Sequence, residues 1–112
     1  IWMDSDAIIF RNIDYIFDRN GTWMQRDNWN CTDAYRGNHE CSGFMLLQPS
    51  LDTYAGMIRY SSTLKREMFG DQAVIAGYFR DVVGTPVRLF EHVDAAFGHC
   101  IGRLPGIPYR DK

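Results

Sequence analysis

Asp4 and Asp6 are two carboxylates separated by Ser5. They close one apolar run, Ile1-Trp2-Met3, and precede another, Ala7-Ile8-Ile9-Phe10. If the first run is a buried strand, alternation puts both carboxylates on the same side of the chain. Two hard oxygen ligands placed in that way suit a divalent cation such as Mg²⁺ or Mn²⁺. The competing reading is a turn with an N-cap, since Asp and Ser favour both. A calcium loop of the EF-hand kind fails early, because Ile8 stands where the next oxygen ligand belongs.

Other candidate chemistry is scattered. Asp71-Gln72 follows Gly70, at a helix start where an Asp ordinarily serves as a cap contributing about 1 kcal/mol. Ser42-Gly43 precedes an apolar run, and Gly43 allows close backbone approach to a ligand or strand. His39 lies in a polar stretch, and His92 and His99 fall near the C-terminal end; each reads as a surface or structural residue rather than a metal ligand. Trp23, Trp29 and Tyr35 offer ring faces on which a sugar can stack, or equally anchors for a loop.

The elements that must position these residues form an alternation of strands and helices. Residues 1–3 and 7–10 are strand-like, and 13–18 suggest a short helix. Residues 18–42 are rich in Asn, Gly, Asp and Arg and read as a long loop or insertion, with a short strand over 22–25. Residues 44–47 are an apolar run of strand length. Ser50 is a candidate N-cap, and Leu51, Tyr54, Ala55 and Ile58 recur at helical spacing to about residue 67. A second helix starts at Gly70-Asp71, with Val74, Ile75, Tyr78 and Phe79 on one face, and residues 86–90 read as a short strand. No repeat or low-complexity tract is visible.

Composition sets bounds. The 112 residues make at most one domain, and an apolar fraction of 46% is that of a globular core. A net charge of −2 gives no electrostatic case for nucleic acid. No apolar run approaches membrane-spanning length. The chain opens inside an apolar strand without Met, so it is expected to be a piece of a longer protein.

Three blocks, in order, resemble the family 8 glycosyltransferases, the glycogenin-like group. The first is the apolar strand ending in Asp4-Ser5-Asp6, with Arg11-Asn12-Ile13-Asp14-Tyr15-Ile16-Phe17 behind it. The second is Ser42-Gly43 with its strand, then Pro49-Ser50 and Thr53-Tyr54; the third is Gly70-Asp71-Gln72. The resemblance covers about residues 1 to 90. It implies an α/β fold of the GT-A type, a mostly parallel sheet flanked by helices and present here only in part. On that basis residues 1–112 are the central to C-terminal part of one glycosyltransferase domain, with 18–42 a loop or insertion and 91–112 a poorly matched tail.

The activity so implied is retaining, metal-dependent hexosyl transfer from a nucleotide sugar, expected to be a UDP-sugar, to a carbohydrate or glycoprotein acceptor. Mn²⁺ is the metal implied, with Mg²⁺ the alternative. Asp4 and Asp6 would hold it, Asp6 the firmer ligand. Asp4, Ser5, Asp6, Ser42 and Gly43 would line the donor, Asp71 would bind sugar hydroxyls, and Gln72 would stabilise the oxocarbenium-like centre. Cys41 stands where the family carries Asn, which removes an amide able to hydrogen-bond the sugar. The family's nucleotide-binding half and its later ligand His are missing from this chain. The chain alone is therefore expected to be inactive, and membrane association to come only through segments absent from it.

The polar loop bears on compartment. Asn20-Gly21-Thr22 and Asn30-Cys31-Thr32 both fit the glycan acceptor pattern, and Cys31 and Cys41 could close the loop as a disulfide. A Golgi or endoplasmic reticulum lumen is expected, with a cytoplasmic enzyme bearing free thiols as the alternative. Two other functions compete. A non-catalytic sugar-binding relative would fit the loss of Asn at Cys41. A haloacid-dehalogenase-type phosphohydrolase also places DxD after a strand, but Gly70-Asp71-Gln72 lacks the second Asp its later motif needs.

Overall fold

The computed structural model describes residues 1–27, 39–65, 70–91 and 95. Four strands form one sheet: β1 (Trp2–Met3), β2 (Trp23–Asp27), β3 (His39–Leu46) and β4 (Arg88–Leu89), in the order β1-β3-β2-β4. Two helices, α1 (Leu51–Ser61) and α2 (Asp71–Tyr78), lie between β3 and β4 in sequence. A 3-10 turn spans Asp14–Asp18, and a π-helical turn over Phe79–Val83 extends α2.

The sheet is mixed, which corrects the expectation of a mostly parallel one. β3 pairs antiparallel with both β1 and β2, and only β2 with β4 is parallel. Connectivity is the reason. β2 and β3 are consecutive strands among the described residues and pair antiparallel, whereas β4 returns beside β2 only after α1 and α2. The stretch over 18–42 is accordingly less a loop than expected, since it holds β2 and the start of β3; residues 28–38, with Trp29, Asn30, Cys31 and Tyr35, lie outside the described residues. Residues 7–10 form no strand. The chain turns after β1, and Ile8 and Phe10 are left 71% and 61% exposed.

The apolar run in β3 is continuous because the sheet is covered on both faces. Phe44 and Leu46 join Ile16 and Phe90 in one cluster, while Met45 between them joins Met24 and Ala76 in the other. Ile16, Met24 and Phe90 are fully buried. At about 25 cal/mol per Å² of apolar surface, such side chains each contribute roughly 2 kcal/mol against exposure.

α1 begins as its sequence predicts. Ser50 Oγ accepts the Thr53 N–H at 3.2 Å. It ends earlier than expected, at Ser61, where the hydroxyls of Ser61, Ser62 and Thr63 turn back onto the carbonyls of Ile58, Arg59 and Tyr60. The two helices interlock through glycines. A Cβ on Gly56 would lie 2.7 Å from the Tyr78 ring, and one on Gly77 would lie 2.9 Å from Tyr60 Cε1. Each helix thus gives up a side chain to admit the other's tyrosine.

Candidate functional site

β1 brings Asp4 to the sheet. Its N–H donates to the Gly43 carbonyl at 3.0 Å, one step beyond the Met3–Phe44 pair. There the strand stops. The Ala7 N–H donates to the Asp4 carbonyl at 3.1 Å, closing a β-turn with Ser5 and Asp6 at its centre. This corrects the strand alternation expected for Asp4 and Asp6: Asp and Ser are turn formers, and the chain turns away although β3 continues to His39. Both carboxylates and Ser5 are exposed.

β3 meets the turn with a bulge. Met24 pairs with Met45, yet the next β2 residue, Gln25, pairs with Cys41, so Ser42, Gly43 and Phe44 have no partner on β2. Bulges bend a strand and re-aim its side chains, and they recur beside active sites. Gly43 is the point of closest approach. From the position a Cβ would take there, Asp4 Oδ2 is 3.3 Å away, Cys41 Sγ 3.5 Å and Gln25 Oε1 3.6 Å.

Cys41 reports what surrounds the bulge. Burial pushes its thiol above the usual value, a hydrogen bond from the Gly43 backbone opposes, and the carboxylates of Asp27, Asp4 and Asp71 add to the rise. The thiol therefore stays protonated at neutral pH and is a poor nucleophile. Cys41 is a free thiol. Its expected partner, Cys31, is among the residues not described.

Asp71 is not the N-cap itself. That position belongs to Gly70, and the Asp71 carboxylate accepts the Gln72 N–H at 2.8 Å from the first helical position. It satisfies one of the unpaired N–H groups of the helix end and suits the dipole there. A ligand can share the remaining lone pairs of the same carboxylate. Gln72 is half-buried beside it.

Two separate segments therefore meet: the Asp4–Ala7 turn and the Ser42–Gly43 bulge. Among the described residues no group of three or more His, Cys, Asp or Glu is placed to hold a metal. Asp4 and Asp6 match a hard divalent cation in donor type, but the described residues add no further ligand. His39 is exposed at the start of β3, opposite Asp27, and His92 and His99 lie outside the described residues.

One expectation is resolved differently. Trp23 is not free to stack on a sugar. Its ring lies under the Arg19 guanidinium at 4.6 Å, with Arg88 at 5.5 Å and Phe90 stacked at 5.6 Å, and its indole N–H donates to the Asn20 carbonyl at 2.9 Å. The larger of the two described cavities, about 480 Å³, is lined by Leu47, Pro49, Ser50, Thr53, Tyr54 and Phe79. It contains the end of the second sequence block and none of Asp4, Asp6, Gly43 or Asp71. Gln25 is the site residue that sequence reasoning missed. A lone polar residue between Met24 and Arg26 carries no signal beyond ordinary strand composition.

Comparison with known proteins gives a distant glycosyltransferase similarity, to the glycogenin-like group that the three blocks resemble. The relative is glycogenin-1 of Homo sapiens, 29% identical over 89 residues, which is 79% of this chain and 23% of glycogenin-1. The chain thus spans less than a quarter of the relative's length. No protein-family model matches it, and no solved structure does.

Proposed function

We propose that this chain carries the metal-binding turn and part of the sugar-binding side of a retaining glycosyltransferase that uses a nucleotide sugar, a UDP-sugar first among them. The observation that carries the proposal is convergence. Asp4 and Gly43 are widely separated in sequence, belong to two blocks with the same family resemblance, and meet at one bulge.

In this proposal Asp4 and Asp6 hold Mn²⁺ or Mg²⁺, with the remaining coordination coming from the donor's diphosphate and from outside the described residues. When bound, such a cation supplies Lewis-acid stabilisation of the diphosphate leaving group. The chain's own residues do the rest. Ser5 and the Ser42–Gly43 backbone border the donor. Asp71 accepts hydrogen bonds from sugar hydroxyls. The Gln72 amide lies beside the carbon that gains positive character as the glycosidic bond breaks.

The test is hydrolysis of a panel of UDP-sugars, with and without Mn²⁺, by the protein expressed from its complete gene. Wild type is compared with Asp6→Ala. Metal-dependent turnover of one donor, reduced at least 100-fold in the variant, is the expected outcome; losses of 10²–10³ are usual when a charge-stabilising group is removed. Absence of turnover together with absence of Mn²⁺-dependent UDP binding would replace the proposal with the non-catalytic relative, which the Cys41 substitution favours.

A further inference from the structure

The turn between the 3-10 segment and β2 carries Asn20-Gly21-Thr22, one of the two glycan acceptor triplets in the chain. Its backbone is held firmly. Gly21 takes a φ of 85°, in the left-handed region that glycine reaches without strain. The Asn20 carbonyl accepts the Trp23 indole N–H at 2.9 Å and the Arg88 guanidinium at 3.5 Å. The Thr22 carbonyl accepts the Arg88 N–H at 2.9 Å.

The Asn20 side chain is left to solvent. The residue is exposed, and every hydrogen bond it makes among the described residues goes through its backbone carbonyl. Asn12 is the contrast. It is exposed as well, yet its amide nitrogen donates to Asp14 Oδ2 at 3.1 Å and its Oδ1 accepts the Asp14 N–H at 2.7 Å. Space is available too. A Cβ on Gly21 would meet no atom within 4 Å, so the turn stands clear of the rest of the fold. A glycan is bulky and hydrated, and it fits only where the folded chain leaves it in water. The triplet also precedes Trp23, which pairs with Leu46, whereas Asp4 bonds Gly43 further back along β3. A glycan here does not crowd the Asp4–Gly43 meeting point.

We propose that Asn20 is an N-glycosylation site. Its Nδ2 attacks the anomeric carbon of an oligosaccharide carried on a lipid diphosphate. The C–N bond forms as the C–O bond to the diphosphate breaks, the amide gives up one proton to the transferring enzyme, and the lipid diphosphate leaves. The Thr22 hydroxyl completes the acceptor pattern that this enzyme reads. Donor and enzyme face a secretory lumen, so the complete protein passes through one.

Protein expressed from the complete gene in eukaryotic cells provides the test. An amidase that cleaves the Asn–glycan bond in heavy-oxygen water converts each glycosylated Asn to labelled Asp, which mass spectrometry of tryptic peptides then locates. Asn20 falls in the peptide Asn20–Arg26 and Asn30 in Asp27–Arg36, so the two triplets are scored separately. Label is expected on Asn20 in wild type. It should vanish in Thr22→Ala, which keeps the Asn amide, and persist in Thr22→Ser, which keeps the hydroxyl. Recovery of the wild-type peptide Asn20–Arg26 without label overturns the proposal, whether or not Asn30 is labelled. Asn-Gly pairs also deamidate spontaneously to Asp. Label that survives Thr22→Ala, or that forms equally without the amidase, is that reaction and overturns the proposal as well.

Discussion

Glycine admits a neighbour in two regions of this molecule, with opposite results. Between α1 and α2, Gly56 and Gly77 each receive a tyrosine ring, and the space is filled by aromatic carbon. The rings of Tyr60 and Tyr78 then meet edge to face at 6.4 Å. At the bulge, Gly43 is bordered by a carboxylate, a thiol and an amide oxygen. The first arrangement is complete in itself. The second is bordered by polar atoms, so the two vacant side-chain positions differ in the polarity of what surrounds them rather than in size.

The largest effect is expected where the space is already full. Gly56→Ala gains about 1 kcal/mol in helix propensity. It also drives a methyl to within 2.7 Å of a buried ring that cannot swing aside. Overpacking of that kind costs about 3 kcal/mol. The net loss of about 2 kcal/mol should lower the thermal midpoint by roughly 10 °C. Adding Tyr78→Leu to Gly56→Ala should cost less than the two changes summed, because the ring that clashes is gone. Strict additivity would show that the helices do not meet through this pair, and the comparison would fail on its structural side.

Gly43→Ala should separate stability from binding. Its nearest new contact, Asp4 Oδ2 at 3.3 Å, is the end of an exposed side chain able to give by a few tenths of an ångström. The expected cost is therefore within about 0.5 kcal/mol, as for most surface changes. Moving that carboxylate should nevertheless weaken Mn²⁺-dependent UDP-sugar binding about tenfold, the size of one charge-assisted hydrogen bond. A midpoint that falls as far as for Gly56→Ala would make the bulge a second packing contact and remove the contrast.

How much of this was legible in the sequence differs between the two regions. The three blocks could be read directly, because Asp-Ser-Asp, Ser-Gly and Gly-Asp-Gln are chemically marked. The meeting of the first two could not, since it depends on a strand order with β3 between β1 and β2. The turn at Asp4–Ala7 was one of two readings, and only the end of pairing at Gly43 decides it. The approach of Gln25 to Gly43 was invisible, because it follows from the pairing across the strand at the bulge. Gly56 and Gly77 look like weaknesses in a helical pattern, and nothing local reveals the tyrosines they admit. The expected parallel sheet came from resemblance to a larger fold; the described residues keep one parallel pairing and add two antiparallel ones.

The smallest effect tests how the helix pair is fastened at its rim. The Tyr60 hydroxyl donates to Asp81 Oδ2 at 2.6 Å, and Arg80 donates to the same carboxylate at 2.7 Å and 3.0 Å. Arg80 first, and Tyr60 second, hold the Asp81 carboxyl down to about 2. A carboxyl lowered in the folded state adds stability above its unfolded pKa and loses it as pH falls through the folded one. The contribution should therefore be complete above about pH 5 and fade between about pH 4 and 2. Tyr60→Phe keeps the ring against Gly77 and removes only the hydroxyl. Its midpoint should fall less than that of Gly56→Ala at pH 6, and the gap to wild type should narrow as the solution is acidified to pH 2. A gap that stays constant with pH would mean the hydroxyl acts through packing alone. The rim of the helix pair would then be as closed to chemistry as its centre.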